Sequence, residues 1–266
     1  MQAFGWPQFS LPAPDVAGSM VVFSHLHPTS VTRELLLKQK GRVEIVIIRR
    51  FFLWPVLVAL AGCGSGGSNG QLRFLDASLD AANVNFLVDG KSLASNLTYG
   101  NINDYTSLKA GWRRIQVVPV NSGTPIFSSN ISIGSNTNQT LIISGPVAHL
   151  QSDLVSDGGT TATSGDGQVR VLNAASMISS ADVYIVSAGA SLTGLQPVTP
   201  SLTYNKDTGY HPVVAGSYQV FLTAPGTTNV FLTVGPITLT TNQNQTVVIL
   251  DRISAGFSYT VLTDAP

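Results

Sequence analysis

From Leu72 to the C-terminus, apolar and polar residues alternate over short stretches. Val84, Phe86 and Val88 alternate with Asn85 and Leu87, and Leu72 and Phe74 flank Arg73. Tyr218, Val220 and Leu222 alternate with Gln219, Phe221 and Thr223. A two-residue period places one set of side chains on the core face of a pleated strand. On that reading Arg73 and Arg170 take solvent-facing positions of a first strand. Asp89-Gly90, Ala110-Gly111, Gly123, Gly134 and Gly145-Pro146 punctuate the pattern as the turns of a sandwich or barrel would. No long stretch carries a 3.6-residue period, so the expected class is all-β.

The pattern occurs twice. Gly70-Gln71-Leu72-Arg73-Phe74-Leu75-Asp76-Ala77 matches Gly167-Gln168-Val169-Arg170-Val171-Leu172-Asn173-Ala174. Leu97-Thr98-Tyr99 recurs as Leu202-Thr203-Tyr204, and Ala110-Gly111 as Ala215-Gly216. Asn138-Gln139-Thr140-Leu141-Ile142-Ile143 recurs as Asn244-Gln245-Thr246-Val247-Val248-Ile249. The order is kept while the offset grows from 97 to 106, as longer loops in the second copy would require. Two copies make a tandem pair rather than a solenoid. About seven strands per copy predict an immunoglobulin-like or transthyretin-like β-sandwich. The expected sandwiches span 71–155 and 167–266. Between them, 156–166 has no large apolar side chain, so a hinged pair is expected.

The segment before the repeats reads differently. Arg49-Arg50 precedes an apolar stretch from Phe51 to Leu60, too short to span a bilayer as a helix, which takes about 20 residues. It ends in Leu60-Ala61-Gly62-Cys63, which resembles the bacterial lipobox. The resemblance implies diacylglyceryl transfer to the Cys63 sulfur, cleavage after Gly62, and anchoring by palmitate-type chains in membrane lipid. A tether over 63–70, rich in Gly and Ser, follows the signal peptide at 43–62. Arg49-Arg50-Phe51-Phe52-Leu53 partly resembles a twin-arginine signal, but the general secretory route is preferred. Residues 1–42 precede the signal awkwardly and are expected to be a non-native extension from start-site choice. The expected location is the cell envelope, at the outer membrane in a Gram-negative cell, because Gly64 rather than Asp follows the cysteine.

Composition narrows the functions. Charged residues are 11% and hydrophobic ones 44%. From Cys63 onward eight Lys or Arg face eleven Asp and no Glu, about −3, and the other six basic residues precede Phe51. Without a basic patch, nucleic-acid binding has no support. A single cysteine excludes an intramolecular disulfide.

Arg73-Phe74-Leu75-Asp76-Ala77-Ser78-Leu79-Asp80-Ala81, Val84-Asn85-Phe86-Leu87-Val88-Asp89-Gly90 and the pair Arg170-Val171-Leu172-Asn173-Ala174 and Ala181-Asp182-Val183-Tyr184-Ile185 resemble the family called domain of unknown function 4397. The resemblance covers nearly all of 70–264. It implies tandem envelope modules and no catalytic residues. Met177-Ile178-Ser179 departs from the family's Asp-containing turn.

Candidate chemistry is sparse. Gly66-Gly67-Ser68-Asn69-Gly70 satisfies a nucleophile-elbow pattern, and Gly62, Gly64 and Gly67 a dinucleotide-binding spacing, without the strand and helix that either requires. His149 and His211 stand one per copy at unmatched positions, and His25-Leu26-His27 lies in the leading segment. Asp153, Asp157 and Asp166 lack the spacing of a calcium loop and read as turn residues. No metal or cofactor is implied. Trp112, beside Arg113 and Arg114, with Tyr99 and Tyr105 upstream, could stack on sugar rings or partner side chains. The preferred reading is that Trp112 plugs the core, as its rough counterpart Tyr218 would. The expected function is a non-catalytic envelope lipoprotein presenting two sandwiches for structural or adhesive contact. The alternative is a carbohydrate- or peptide-binding module of a surface complex.

Overall fold

The computed structural model describes residues 67–158 and 165–265. Gly62, Cys63, the signal segment, the leading residues with His25 and His27, and 159–164 of the expected linker lie outside these.

The first copy comprises β1 (Asn69–Ala77), β2 (Val84–Val88), β3 (Lys91–Leu97), β4 (Thr106–Lys109), β5 (Gly111–Pro119), β6 (Phe127–Ile133), β7 (Asn138–Ser144) and β8 (Gln151–Ser156). The second comprises β9 (Asp166–Asn173), β10 (Ser180–Ser187), β11 (Thr199–Thr203), β12 (Lys206–Asp207), β13 (His211–Val214), β14 (Gly216–Thr223), β15 (Val230–Leu239), β16 (Asn244–Asp251) and β17 (Phe257–Asp264). The only helical turn among the described residues is Val147–His149. No helix there is long and apolar enough to cross a membrane.

Each copy is a β-sandwich of two sheets. In the first, one sheet runs β4-β1-β7-β8 and the other β3-β2-β5-β6. In the second, one runs β12-β9-β16-β17, with β13 also on β9, and the other β11-β10-β14-β15. In both copies the first strand pairs in parallel with the strand carrying the Asn-Gln-Thr block, β1 with β7 and β9 with β16. Alternation holds in the outer sheets: Val84, Phe86 and Val88 are buried while Asn85 and Leu87 are half-buried. Phe86 stacks on Phe74 across the first core with ring centroids 4.7 Å apart. Val220 and Leu222 enter the second core, with Tyr218 packed at its margin.

In the inner sheets the two-residue period disappears. Leu72 to Ala77, Thr140 to Ser144, Gly167 to Asn173 and Asn244 to Asp251 are buried without interruption. Strands covered on both faces read as continuous apolar runs. Here the second cover is the other copy: Leu75, Ala77, Ile142 and Val155 pack against Leu172, Ala174, Val248, Leu250 and Leu262 in a third core. Fully burying a large aliphatic side chain contributes about 1.5–3 kcal/mol, so this seam holds the copies together. The expected hinge is therefore corrected: residues 67–158 and 165–265 belong to one compact unit. The expected exposure of Arg73 and Arg170 is corrected with it, since they are 5% and 3% exposed.

Candidate functional site

Two buried guanidinium groups in an apolar seam demand partners, because an unpaired buried charge is costly. The partners come from the opposite copy. Arg73 on β1 ion-pairs through Nη2 with Asp264 at the end of β17, and its Nη1 donates to the Thr263 carbonyl at 2.9 Å. Arg170 on β9 donates through Nη2 to Asp157, just past β8, at 2.7 Å, and through Nη1 to the Ser156 carbonyl at 2.8 Å. Within its own copy, each arginine donates Nε to a threonine of the Asn-Gln-Thr block, Arg73 to Thr140 at 2.7 Å and Arg170 to Thr246 at 2.9 Å. Those hydroxyls donate onward, Thr140 to Asp157 at 2.5 Å and Thr246 to Asp264 at 2.6 Å.

Tyrosines close the arrangement. Tyr105 donates to Asp157 at 2.8 Å and lies under Arg73, whose Cζ is 4.4 Å from the ring centre. Tyr210 donates to Asp264 at 2.7 Å and lies 4.5 Å under Arg170. Burial, reinforced by the adjacent carboxylate, pushes both phenols well above their ordinary range, so they remain donors. Burial also acts against the Arg170 charge but is outweighed by Tyr210, Asp157 and Asp264, and its pKa rises. Two positive and two negative charges thus meet with the contacts of each arginine duplicated about a pseudo-two-fold axis. Tyr99 and Tyr204 extend the reciprocity: Tyr99 donates to the Asp251 carbonyl at 2.8 Å, and the Tyr204 hydroxyl lies 2.9 Å from Ser144 Oγ. Gly145, with φ +88°, leaves room there, since a Cβ would stand 2.8 Å from the Tyr204 hydroxyl.

The aromatics proposed for binding are therefore split. Tyr99 and Tyr105 belong to the seam. Trp112 is 74% exposed on β5, opposite Ser132 of β6, and does not plug the core. Arg113 pairs weakly with Asp89 at the surface, 3.3 Å apart. Asp157, read as a turn residue, is fully buried in the ion-pair array. Burial, then the neighbouring Asp207, pushes the Asp153 carboxyl up, and Asp166 opens β9. His149 ends the helical turn, exposed, while His211 Nε2 lies 3.4 Å from Thr199 Oγ1. Among the described residues no group of three or more His, Cys, Asp or Glu could hold a metal ion.

Arg73, Arg170, Asp157, Asp264, Thr140, Thr246 and Tyr210 were not singled out as a group by sequence reasoning. A signal existed. Val155-Ser156-Asp157 and Leu262-Thr263-Asp264 end the copies at matching places, and Tyr105 and Tyr210 match in between. An Arg, Tyr, Thr and Asp kept in both copies is more than a fold requires of four surface residues.

Away from the seam, each outer sheet carries a cleft where the β2 or β10 start, the β3 or β11 end and the following β5–β6 or β14–β15 connection meet. In the first copy Asn83, Asn96, Pro119 and Asn121 line about 520 Å³. In the second, Asp182, Tyr184, Gln196, Ser201, Thr227 and Asn229 are among those lining about 670 Å³. Asn96 and Ser201 hold the same place and both have positive φ, 56° and 52°. Most of the extra length of the second copy falls at this cleft. The offset between copies is 97 at Gly70/Gly167 and already 105 at Leu97/Leu202. Where β2 and β3 join through Asp89-Gly90, β10 and β11 are joined by a long loop, anchored by Val198 N–H on the Val183 carbonyl at 2.8 Å.

Comparison with solved structures gives weak likenesses. A family 26 carbohydrate-binding module of Eubacterium rectale, in complex with maltoheptaose, is 11% identical over 74% of this chain and 98% of its own, with a TM-score of 0.24. The Bacillus anthracis TIE protein is 10% identical over 74% of this chain and 44% of its own, with a TM-score of 0.24. Family 41 carbohydrate-binding modules from streptococcal virulence factors, described for alpha-glucan recognition, give 11% identity over 67% and 92%, with a TM-score of 0.23. No curated protein matches the chain in sequence. The family profile described as Domain of unknown function (DUF4397) matches residues 70–184 and again 167–266. The chain, with its two copies of the Arg-bearing first strand, belongs to that family.

Proposed function

We propose that this protein is a non-catalytic cell-envelope lipoprotein, anchored through lipid on Cys63, that presents two β-sandwiches as one rigid body for adhesive or structural contact. The observation that carries the rigid-body part is the reciprocal seam, in which each copy's arginine closes on the other copy's terminal aspartate. A hinged pair would lose contact geometry to linker motion, whereas a fused pair keeps its outward faces in fixed relation and lowers the entropic cost of engaging a partner at two places. The anchoring part is supported by the Leu60-Ala61-Gly62-Cys63 motif and the tether that follows. Labelled palmitate should enter the wild-type protein and not Cys63→Ser, which should leave the membrane fraction. Equal labelling, or unchanged fractionation, contradicts the anchor.

A second reading is that of a carbohydrate- or peptide-binding module. It is favoured by the exposure of Trp112 and by the cleft built from the added loop of the second copy. Binding of the purified protein to arrays of glycans and of peptides separates the two readings: specific capture supports the module, and blank arrays leave adhesive or structural contact.

A further inference from the structure

We infer that the outer-sheet cleft of the second copy is a binding site for a short neutral saccharide, with the Tyr184 hydroxyl at its floor as a contact. The inference rests on the binding-module reading above and gives it a ligand class and a location.

Tyr184 is only 5% exposed, yet it lines the cleft, and its side-chain hydroxyl forms no hydrogen bond with any described residue. Buried tyrosines usually find a partner for the hydroxyl. A hydroxyl held at the floor of an open cleft without a protein partner is suited to a ligand. The surrounding loops are braced for the purpose by Asp182, which is 4% exposed. One of its oxygens accepts the Ser201 N–H at 2.8 Å, and the other the Gly226 N–H at 2.7 Å. That carboxylate ties the middle of β11 to the β14–β15 connection and acts as a positioning group rather than a contact.

The lining specifies the ligand. Gln196 and Asn229 offer amides, and Ser201 and Thr228 offer hydroxyls, each able to donate and accept, while the Thr227 hydroxyl is held by the Ala224 carbonyl and the Asn229 N–H. Leu195, Pro197 and Pro200 supply apolar surface. Among the described residues no Lys, Arg or His lines the cleft, and Asp182 lends it negative charge, so phosphates, uronates and other anions are disfavoured. A dense array of two-way hydrogen-bonding groups with small apolar patches matches the alternating hydroxyls and C–H faces of a neutral sugar. About 670 Å³ lies within the range of small-ligand sites, about 300–1,000 Å³. In the first copy Leu87 stands in place of Tyr184, while Asn85 matches Asp182 and accepts the Asn96 N–H at 2.9 Å as Asp182 accepts that of Ser201.

The test is calorimetric titration of the full chain in detergent with neutral oligosaccharides of glucose, galactose and N-acetylglucosamine. Uronate oligosaccharides and a mixed peptide pool serve as contrasts. The expected result is saturable binding of a neutral oligosaccharide, weakened about tenfold in Tyr184→Phe. Asn83→Ala, in the first-copy cleft, should leave it unchanged. Unaltered circular dichroism and melting of Tyr184→Phe would show that only the hydroxyl contact was lost. Equal affinity of wild type and Tyr184→Phe overturns the assignment. If Trp112→Ala instead abolishes that binding, the cleft is wrong while the binding-module reading stands. Capture of peptides or uronates alone overturns the ligand class. Failure of every probe overturns both the cleft and the module.

Discussion

Asp76 offers a test in which charge can be changed with almost no change of shape. Its carboxyl is 2% exposed on β1; one oxygen accepts the Ser78 N–H at 3.0 Å and the other has no partner. Burial, against the lowering effect of that N–H, raises its pKa from the ordinary 3.8 to about 6. The sign follows from linkage. The folded state binds the proton more tightly than the unfolded chain, so the stability this group allows is complete below about pH 4 and is lost as pH rises through about 6. A shift of about two pH units at 1.36 kcal/mol each amounts to about 3 kcal/mol. The second copy shows how the site can be satisfied. Asn173 stands at the matching position, accepts the Ala175 N–H at 3.2 Å and donates to the Ile178 carbonyl at 3.1 Å. Asp76→Asn should therefore be more stable than wild type by up to about 3 kcal/mol at pH 7, with the gain vanishing near pH 4. Urea denaturation of both proteins at several pH values, followed by circular dichroism, reads the difference, in which other titrating groups cancel. A pH-independent difference, or a carboxyl carbon of Asp76 titrating near 4 by NMR, refutes the reasoning.

Other perturbations probe the seam. Arg73→Met takes from the Asp264 carboxylate its nearest cation, leaving Arg170 at 3.9 Å, and should lower the unfolding free energy by about 3–5 kcal/mol; a loss below 1 kcal/mol in urea contradicts the buried pairing. Tyr105→Phe and Tyr210→Phe each delete one hydrogen bond to a buried carboxylate and should cost similar amounts, about 1.5–3 kcal/mol, so a cost confined to one of them contradicts the pseudo-symmetry. Gly145→Ala places a Cβ against the Tyr204 hydroxyl at a positive φ and should cost more than about 1 kcal/mol in thermal melts; a neutral result argues against the close approach of the copies there.

The outer sheets could be read directly from the chain because one face of each is solvated. Val84, Phe86 and Val88 keep the period that their half-buried environment imposes. The inner sheets could not be read that way. Leu-Ile-Ile over 141–143 and Val-Val-Ile-Leu over 247–250 are continuous apolar runs, the pattern of a strand covered twice, but each is also a strong strand by local rules alone. Placing Arg73 by parity opposite Leu72 and Phe74 was geometrically correct; what parity could not say is that a second copy lies on that face. The linker misled for a related reason. Its Gly, Ser and Thr residues describe the connection, whereas Asp157, at its start, serves the ion-pair array of both copies. Trp112 defies expectation because a bulky aromatic on an alternating strand can face either way, and here its parity places it outside. The cleft of the second copy left a trace only as drift in the repeat offset.

A seam that fuses the sandwiches requires the two copies to behave as one cooperative body. Hydrogen exchange of wild type and Asp264→Asn tests this, because the substitution lies at the far end of the second copy. If the seam couples the copies, amides of β1 and β7 in the first copy will gain exchange by the same factor as those of β9 and β16 in the second. If exchange rises in the second copy while β1 and β7 keep their wild-type protection, the copies open independently and the fused body is refuted.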